Sequence, residues 1–257
     1  MTIVVDGQVL PADRAPVRDP DALAPFETMG AVGGHVPLWR SHMERIAAAA
    51  ARLHLPFALS ARLVAAAEEL LRTNGHGDGI LRLSLVPSGG RVHEVLTSRD
   101  RGPSISVVTL LPTVVLRTDR APRDLKVEPR PFYDAVRAQA QDGGADDGIV
   151  VDRDGAVLET AVGNLWIRLS GRWTTPPLDG RVLPGIARAR LVAAARSVGR
   201  AIDERPCGLG DLHRAEALAC TNAVHGPRAA VLLGTTPPAD RFVDTELVPL
   251  WRAAAPE

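Results

Sequence analysis

The chain has 257 residues, 46% of them hydrophobic and 23% charged, with a formal net charge of zero at pH 7. This length suits either one large α/β domain or two smaller ones. The balanced charge leaves no basic footprint for a nucleic acid, and no apolar run is long enough to span a bilayer.

In chain order, residues 2–10 predict a strand, a turn at Asp6-Gly7 and a second short strand, followed by a loop from Pro11 to Pro25. This opening has neither a basic start nor a long apolar core, so a cytoplasmic location is the default expectation. Phe26 to Met29, the pair Gly33-Gly34 and His35 to Leu38 make a hairpin-like pattern. Ser41 and Glu44 have the spacing of a capping box, which predicts a helix start there and puts Arg45 about one turn inside. That helix continues through the alanines to about Leu53. A second begins near Ser60, carries Leu63, Val64, Ala67, Leu70 and Leu71 on one face, and stops at Asn74-Gly75. Strands are expected at about 79–87 and 104–111, with Gly89-Gly90-Arg91-Val92-His93 as a loop that presents polar groups to a ligand. Pro112 to Pro122 mixes turn residues with charges and marks a link between two halves.

In the second half, a helix is predicted from Pro131 to Asp142, with proline in its first turn and Gly143-Gly144 past its end. Short strands and tight turns fill 148–176. Another helix starts at Pro184-Gly185-Ile186 and runs to Gly199, its first-turn amides suited to holding an anion. Ala217 to Val224 reads as a strand, His225-Gly226-Pro227 as a turn, and Ala229 to Leu233 as a further strand. Cys207 and Cys220 are too few for a disulfide framework and have no metal-ligand spacing, which predicts two reduced structural thiols and no metal site. Many tight strand-to-strand turns argue for an α+β, or mixed α/β, chain rather than a doubly wound parallel sheet.

Lys126 is the sole lysine, so 30 − 1 = 29 of the basic residues are arginine. A guanidinium stays protonated at any working pH and cannot act as a nucleophilic amine. The lone lysine is either a compositional survivor or a residue retained for its amine.

Its neighbours in sequence carry a resemblance. Lys126, Gly144-Ala145-Asp146-Asp147, Val157-Leu158-Glu159-Thr160 with Asn164-Leu165-Trp166, Thr175-Pro176-Pro177-Leu178 and Leu183-Pro184-Gly185-Ile186-Ala187-Arg188 resemble the successive motifs of the class IV pyridoxal-phosphate enzymes. Phe26-Glu27-Thr28 and His42-Met43-Glu44-Arg45 extend the likeness into the first half, so it covers essentially the whole chain. The family includes branched-chain aminotransferases, D-amino-acid aminotransferases and aminodeoxychorismate lyases. The resemblance implies a two-domain fold, with residues 1–115 as a small α+β domain and 121–257 as a large one. It also implies pyridoxal 5'-phosphate in the cleft between them, a small-molecule substrate and a homodimer.

Such a cofactor needs an amine for its aldehyde, an anion for its ring nitrogen and an anchor for its phosphate. By resemblance, Lys126 supplies the amine and the proton shuttle, and Glu159 the anion. Arg45, the amides of Ile186 and Ala187, and Thr221-Asn222 supply the phosphate anchor. Arg91 and His93 are similar to the pair with which D-amino-acid aminotransferases hold the substrate carboxylate. Thr221-Asn222-Ala223-Val224-His225-Gly226 resembles the asparagine-containing segment of aminodeoxychorismate lyases, and Arg130, four positions after the lysine, is also lyase-like. The residue that usually meets the ring hydroxyl soon after the lysine is absent; Tyr133, the only tyrosine, is either its replacement or a packed helix residue. The leading expectation is an aminodeoxychorismate lyase, the alternative an aminotransferase for D-amino or branched-chain amino acids.

Overall fold

A computed structural model describes residues 1–58, 61–103, 105–117, 119–235 and 241–254. The chain forms two compact units, one from residues 1–104 and 125–129, the other from 105–124 and 130–255. Units and chain order therefore interleave. Lys126 lies on a short excursion of the chain back into the first unit.

The first unit holds a six-stranded antiparallel sheet. Its strands are β1 (Thr2–Val5), β2 (Gln8–Pro11), β3 (Ala24–Gly30), β4 (Ile80–Ser88), β5 (Arg91–Arg99) and, after β6 (Val107–Thr113) of the other sheet, β7 (Val127–Glu128), in the order β2-β1-β5-β4-β3-β7. Helices α1 (Trp39–Arg52) and α2 (Ala61–Thr73) cover one face. Met29, Leu81, Leu83 and Leu96 from the sheet pack there on Met43, Ile46, Leu70 and Leu71 from the helices.

Three local expectations are corrected here. The hairpin expected over 26–38 is replaced by a lone bridge, Val32↔His35, because β3 instead pairs along its length with β4. The helix expected to be capped at Ser41 starts at Trp39, after Leu38 in the left-handed conformation (φ 71°). Ser41 and Glu44 thus sit inside α1, where Glu44 pairs with Arg40, and Arg45 lies nearly two turns in. The segment 89–93, expected as a loop, is mostly strand: Gly89 and Gly90 (φ 58° and 78°) form a two-residue hairpin turn, and β5 pairs with β4 from Arg91↔Ser88 to Arg99↔Ile80. The expected helix start at Ser60 and strand start at Ser104 lie outside the described residues.

The second unit is built on nine strands: β6, β8 (Asp147–Val151), β9 (Ala156–Thr160), β10 (Gly163–Leu169), β11 (Arg172–Thr175), β12 (Asp203–Glu204), β13 (Cys207–Gly208), β14 (Ala217–Asn222) and β15 (Gly226–Leu232). β6 pairs in parallel with β15 and β8, although it precedes the second half in sequence. Additional pairing of β9 with β10 closes β10-β14-β15-β6-β8-β9 into a ring. Val108, Ile149, Val157, Leu165, Ile167, Leu218 and Leu232 share one core cluster of this unit.

Helix α3 (Pro131–Asp142) packs Phe132 and Val136 against Val150 and Leu158, and α4 (Ile186–Ser197) packs Leu191 and Ala195 against Trp166 and Ala219. Gly226 and Pro227, expected in a turn, begin β15. After a short helix, α5 (Leu209–His213), the chain ends in helical segments over Val243–Leu247 and α6 (Val248–Ala253), which carried no predicted element. Among the described residues no helix is long and apolar enough to cross a membrane, and no cluster could hold a metal ion. Both cysteines are buried and free.

Candidate active site

Two sets of polar groups stand out, one in each unit. In the first unit, β7 lies beside β3, so that the Phe26 amide donates to the Lys126 carbonyl at 3.0 Å. This fixes the backbone of the only lysine. Its Nζ lies 4.6 Å from the centroid of the buried Phe26 ring, and the Arg82 guanidinium carbon lies 3.8 Å from the same centroid. Arg82 also forms an ion pair with Glu128 at 2.6 Å.

The next residue of β3, Glu27, is fully buried (0% exposed). Its Oε1 accepts from Arg45 Nε at 2.8 Å, and its Oε2 accepts from Arg45 Nη2 at 2.5 Å and from His42 Nδ1 at 2.7 Å. Burial works against the Glu27 charge, but Arg45 and then His42 outweigh it and hold the carboxyl at about 2. His42 is pushed down by its own burial; the pull of Glu27 in the other direction is opposed by Arg45 and Lys126, leaving the ring neutral. Arg45, expected as a phosphate anchor, is thus held by a buried carboxylate. In the sequence Glu27 stands only as a member of the Phe26-Glu27-Thr28 motif and has no role of its own, because its partners on α1 lie 15 and 18 positions away.

Arg91 is exposed, and His93 contacts Asp6 through Nδ1 at 2.7 Å. Standing two apart on β5, they fall on one side of that strand.

In the second unit, ladder register sets Glu159, Asn164 and Thr221 in a row across β9, β10 and β14, through the pairs Asn164↔Glu159 and Asn164↔Thr221. Glu159 is buried; its Oε1 accepts from Tyr133 Oη at 2.7 Å and its Oε2 from the Leu183 amide at 3.1 Å. Burial, followed by the neighbouring Glu159 carboxylate, pushes the Tyr133 phenol far up, so it stays protonated and donates. The tyrosine considered for a ring hydroxyl therefore serves the carboxylate.

Asn164 Nδ2 donates to the Leu183 carbonyl at 2.9 Å, tying β10 to the approach of α4. The N-cap of α4 is Gly185, which has no side chain to bond the first-turn amides of Ile186, Ala187 and Arg188. Thr221 Oγ1 accepts from Trp166 Nε1 at 2.9 Å. Asn222 Oδ1 accepts from the amides of Val224 and His225 at 3.1 and 3.0 Å, so its carboxamide shapes the turn into β15.

These groups match the needs of pyridoxal phosphate. In the first unit Lys126, the only lysine, offers a side-chain amine, and Arg45 offers an oriented guanidinium suited to an anion; in the second, Glu159 with its two fixed donors is suited to a protonated ring nitrogen, and the amides at the start of α4 are suited to a phosphate. Asn164, Gly185 and Trp166 support the second-unit groups, and in the sequence they stand only as members of motifs.

Fold and polar groups together define a pyridoxal-phosphate enzyme of the class IV type. The family model for class IV amino-transferases matches residues 24–231, and the chain belongs to that family, whose members depend on pyridoxal phosphate. A protein of Methanocaldococcus jannaschii named "Putative branched-chain-amino-acid aminotransferase" is 27% identical over 76% of this chain and 73% of its own length. A Legionella pneumophila structure described as "Putative 4-amino-4-deoxychorismate lyase" matches with a TM-score of 0.82 and 22% identity, covering 94% of this chain and 97% of its own. The branched-chain aminotransferase of Thermoproteus uzoniensis matches with a TM-score of 0.86 and 21% identity, covering 98% and 93%. At these identities the two structures establish the fold.

Proposed function

We propose that this enzyme is a pyridoxal-phosphate-dependent lyase that converts 4-amino-4-deoxychorismate to 4-aminobenzoate and pyruvate. The observation that carries this reading is the segment Thr221-Asn222-Ala223-Val224-His225-Gly226, in which an asparagine carboxamide, rather than a run of hydroxyls, shapes the turn after β14. We further propose that Lys126, Arg45, Glu159, Ile186, Ala187, Thr221 and Asn222 are cofactor-binding residues, and that the enzyme is a cytoplasmic homodimer.

When bound, pyridoxal phosphate supplies an electron sink for the pair left behind as a substrate C–H bond breaks. Lys126 would hold the cofactor at its aldehyde carbon, and the Lys126 Nζ is the base that removes the proton from the carbon bearing the substrate amine. Glu159, oriented by Tyr133 and the Leu183 amide, keeps a proton at the ring nitrogen. Arg45 and the amides of Ile186 and Ala187 bind the phosphate, with Thr221 and Asn222 beside them. Arg91 and His93 bind a substrate carboxylate. In aminodeoxychorismate an enolpyruvyl oxygen sits beside the deprotonated carbon, so the electron pair expels it and the ring becomes aromatic. An ordinary amino acid has no such leaving group.

The Methanocaldococcus relative supports a second reading, a class IV aminotransferase for branched-chain or D-amino acids. The two part on the need for an acceptor. With aminodeoxychorismate and no keto acid, the lyase gives many turnovers of 4-aminobenzoate and equimolar pyruvate, while D-alanine or L-leucine with 2-oxoglutarate gives little. Rapid turnover of the amino acids with aminodeoxychorismate untouched replaces the first reading by the second.

A further inference from the structure

We infer that Glu27 is a positioning residue, a buried carboxylate that presets the Arg45 guanidinium for the cofactor's phosphate and holds His42 in a single tautomer. The inference rests on the proposed role of Arg45 as a phosphate contact. It adds a part of the site that lies beneath that contact.

The geometry begins with spacing. His42 and Arg45 stand three apart on α1, so one face of that helix presents both to a single residue of β3. Glu27 meets them with the Arg45 Nε and Nη2 edge on its two oxygens and His42 Nδ1 on Oε2. A carboxylate only accepts hydrogen bonds, so His42 must carry its proton on Nδ1. The glutamate and histidine side chains are each 1% exposed, while that of Arg45 is 17% exposed and reaches the surface of the cluster. A buried base thus holds one edge of a guanidinium whose body is partly open.

An arginine side chain has many rotamers, and binding a phosphate ordinarily costs the entropy of selecting one. A two-point bond to Glu27 fixes the guanidinium plane beforehand. The opposing effect is charge compensation, since a carboxylate beside Arg45 also weakens its attraction for a second anion. Presetting and compensation predict opposite signs when the charge is removed. In Glu27→Gln the amide nitrogen adds a donor where either Arg45 Nε, or Arg45 Nη2 and His42 Nδ1 together, already donate, so the two-point hold on Arg45 is lost in both amide orientations.

The test compares the affinity of apoenzyme for pyridoxal 5'-phosphate with that for pyridoxal, which has the same aldehyde and no phosphate. Occupancy is read by borohydride reduction and mass measurement of the label on Lys126, the only lysine. If Glu27 presets Arg45, the ratio of the two affinities falls about tenfold or more in E27Q, the scale of one charge-assisted hydrogen bond. A purely structural glutamate lowers the melting temperature in E27Q and leaves the ratio where it was. An unchanged or raised ratio overturns the inference. Should E27Q fail to fold, Glu27→Asp retains the charge but draws it back by one methylene, and the same fall in the ratio is expected. Arg45→Ala separates the two levels: a fall there with an unchanged ratio in E27Q removes only the role of Glu27. No change in either variant removes the Arg45 assignment along with it.

Discussion

The start of α4 offers a prediction that can be worked in detail, Gly185→Ala. Gly185 has φ −72° and ψ 135°, ordinary values for any residue, so alanine brings no backbone strain. Space is what forbids it, because an added Cβ would lie 1.8 Å from Asn164 Oδ1 and 3.0 Å from its Cγ. Asn164 is 4% exposed and gives its Nδ2 hydrogen bond to the Leu183 carbonyl. If Asn164 swings aside, a buried hydrogen bond is lost, costing about 1–3 kcal/mol. If α4 moves instead, overpacking costs about the same. In an Asn164→Ala background the obstructing amide is gone, and Gly185→Ala should cost under about 1 kcal/mol, offset in part by the lower entropy of the unfolded chain. The double-mutant cycle, measured by urea unfolding at pH 7, should therefore show a coupling of roughly 2 kcal/mol, within the range for contacting residues. Gly185→Ala alone should also weaken cofactor binding by displacing the first-turn amides. Additive effects, within about 0.5 kcal/mol, would refute the idea that Asn164 and Gly185 set the start of α4 jointly.

Three more outcomes follow from the same two sets of residues. In Arg45→Ala the Glu27 carboxylate loses its main partner; in the native protein Arg45 and then His42 hold the carboxyl at about 2 against an ordinary 4.5 despite its burial, and removing one partner of a buried pair typically costs about 3–5 kcal/mol. Since the folded value is depressed, this stabilisation is full above pH 4.5 and is lost as pH falls toward 2, so urea midpoints of wild type and variant should differ most near neutrality and converge in that window. Tyr133→Phe preserves the ring but deletes the 2.7 Å donor to Glu159, which should cost about 1.5–3 kcal/mol and weaken cofactor binding; an unchanged melting temperature would speak against the assignment. Burial pushes the Cys207 and Cys220 thiols up to about 11, so native protein should resist thiol reagents at pH 8 and take up two labels once unfolded; rapid native labelling would contradict their burial.

Local signals in the sequence were enough for those parts of the fold that local chemistry controls. Proline at the first position and glycines past the end bounded α3, Pro184-Gly185 announced α4, and turn residues divided the strands of the second unit, because each depends on a few adjacent dihedrals. The uniqueness of Lys126 was likewise visible without coordinates. Its partners were not. A two-residue strand such as β7 has no periodicity, so its pairing with β3, which sets Lys126 beside Phe26, follows only from the fold. Strand β5 was obscured because its polar residues do not alternate cleanly with Val95 and Leu96. Glu27 meets His42 and Arg45 from 15 and 18 positions away, and Tyr133 reaches Glu159 across 26. Contacts at such separations depend on sheet register and helix placement, and a one-residue slip in register would turn Glu27 away from α1 altogether. The sequence alone specified which chemical groups are present; tertiary packing decided which carboxylates are dry and which donors they meet, since burial and hydrogen bonding are properties of surroundings that the chain assembles only when folded.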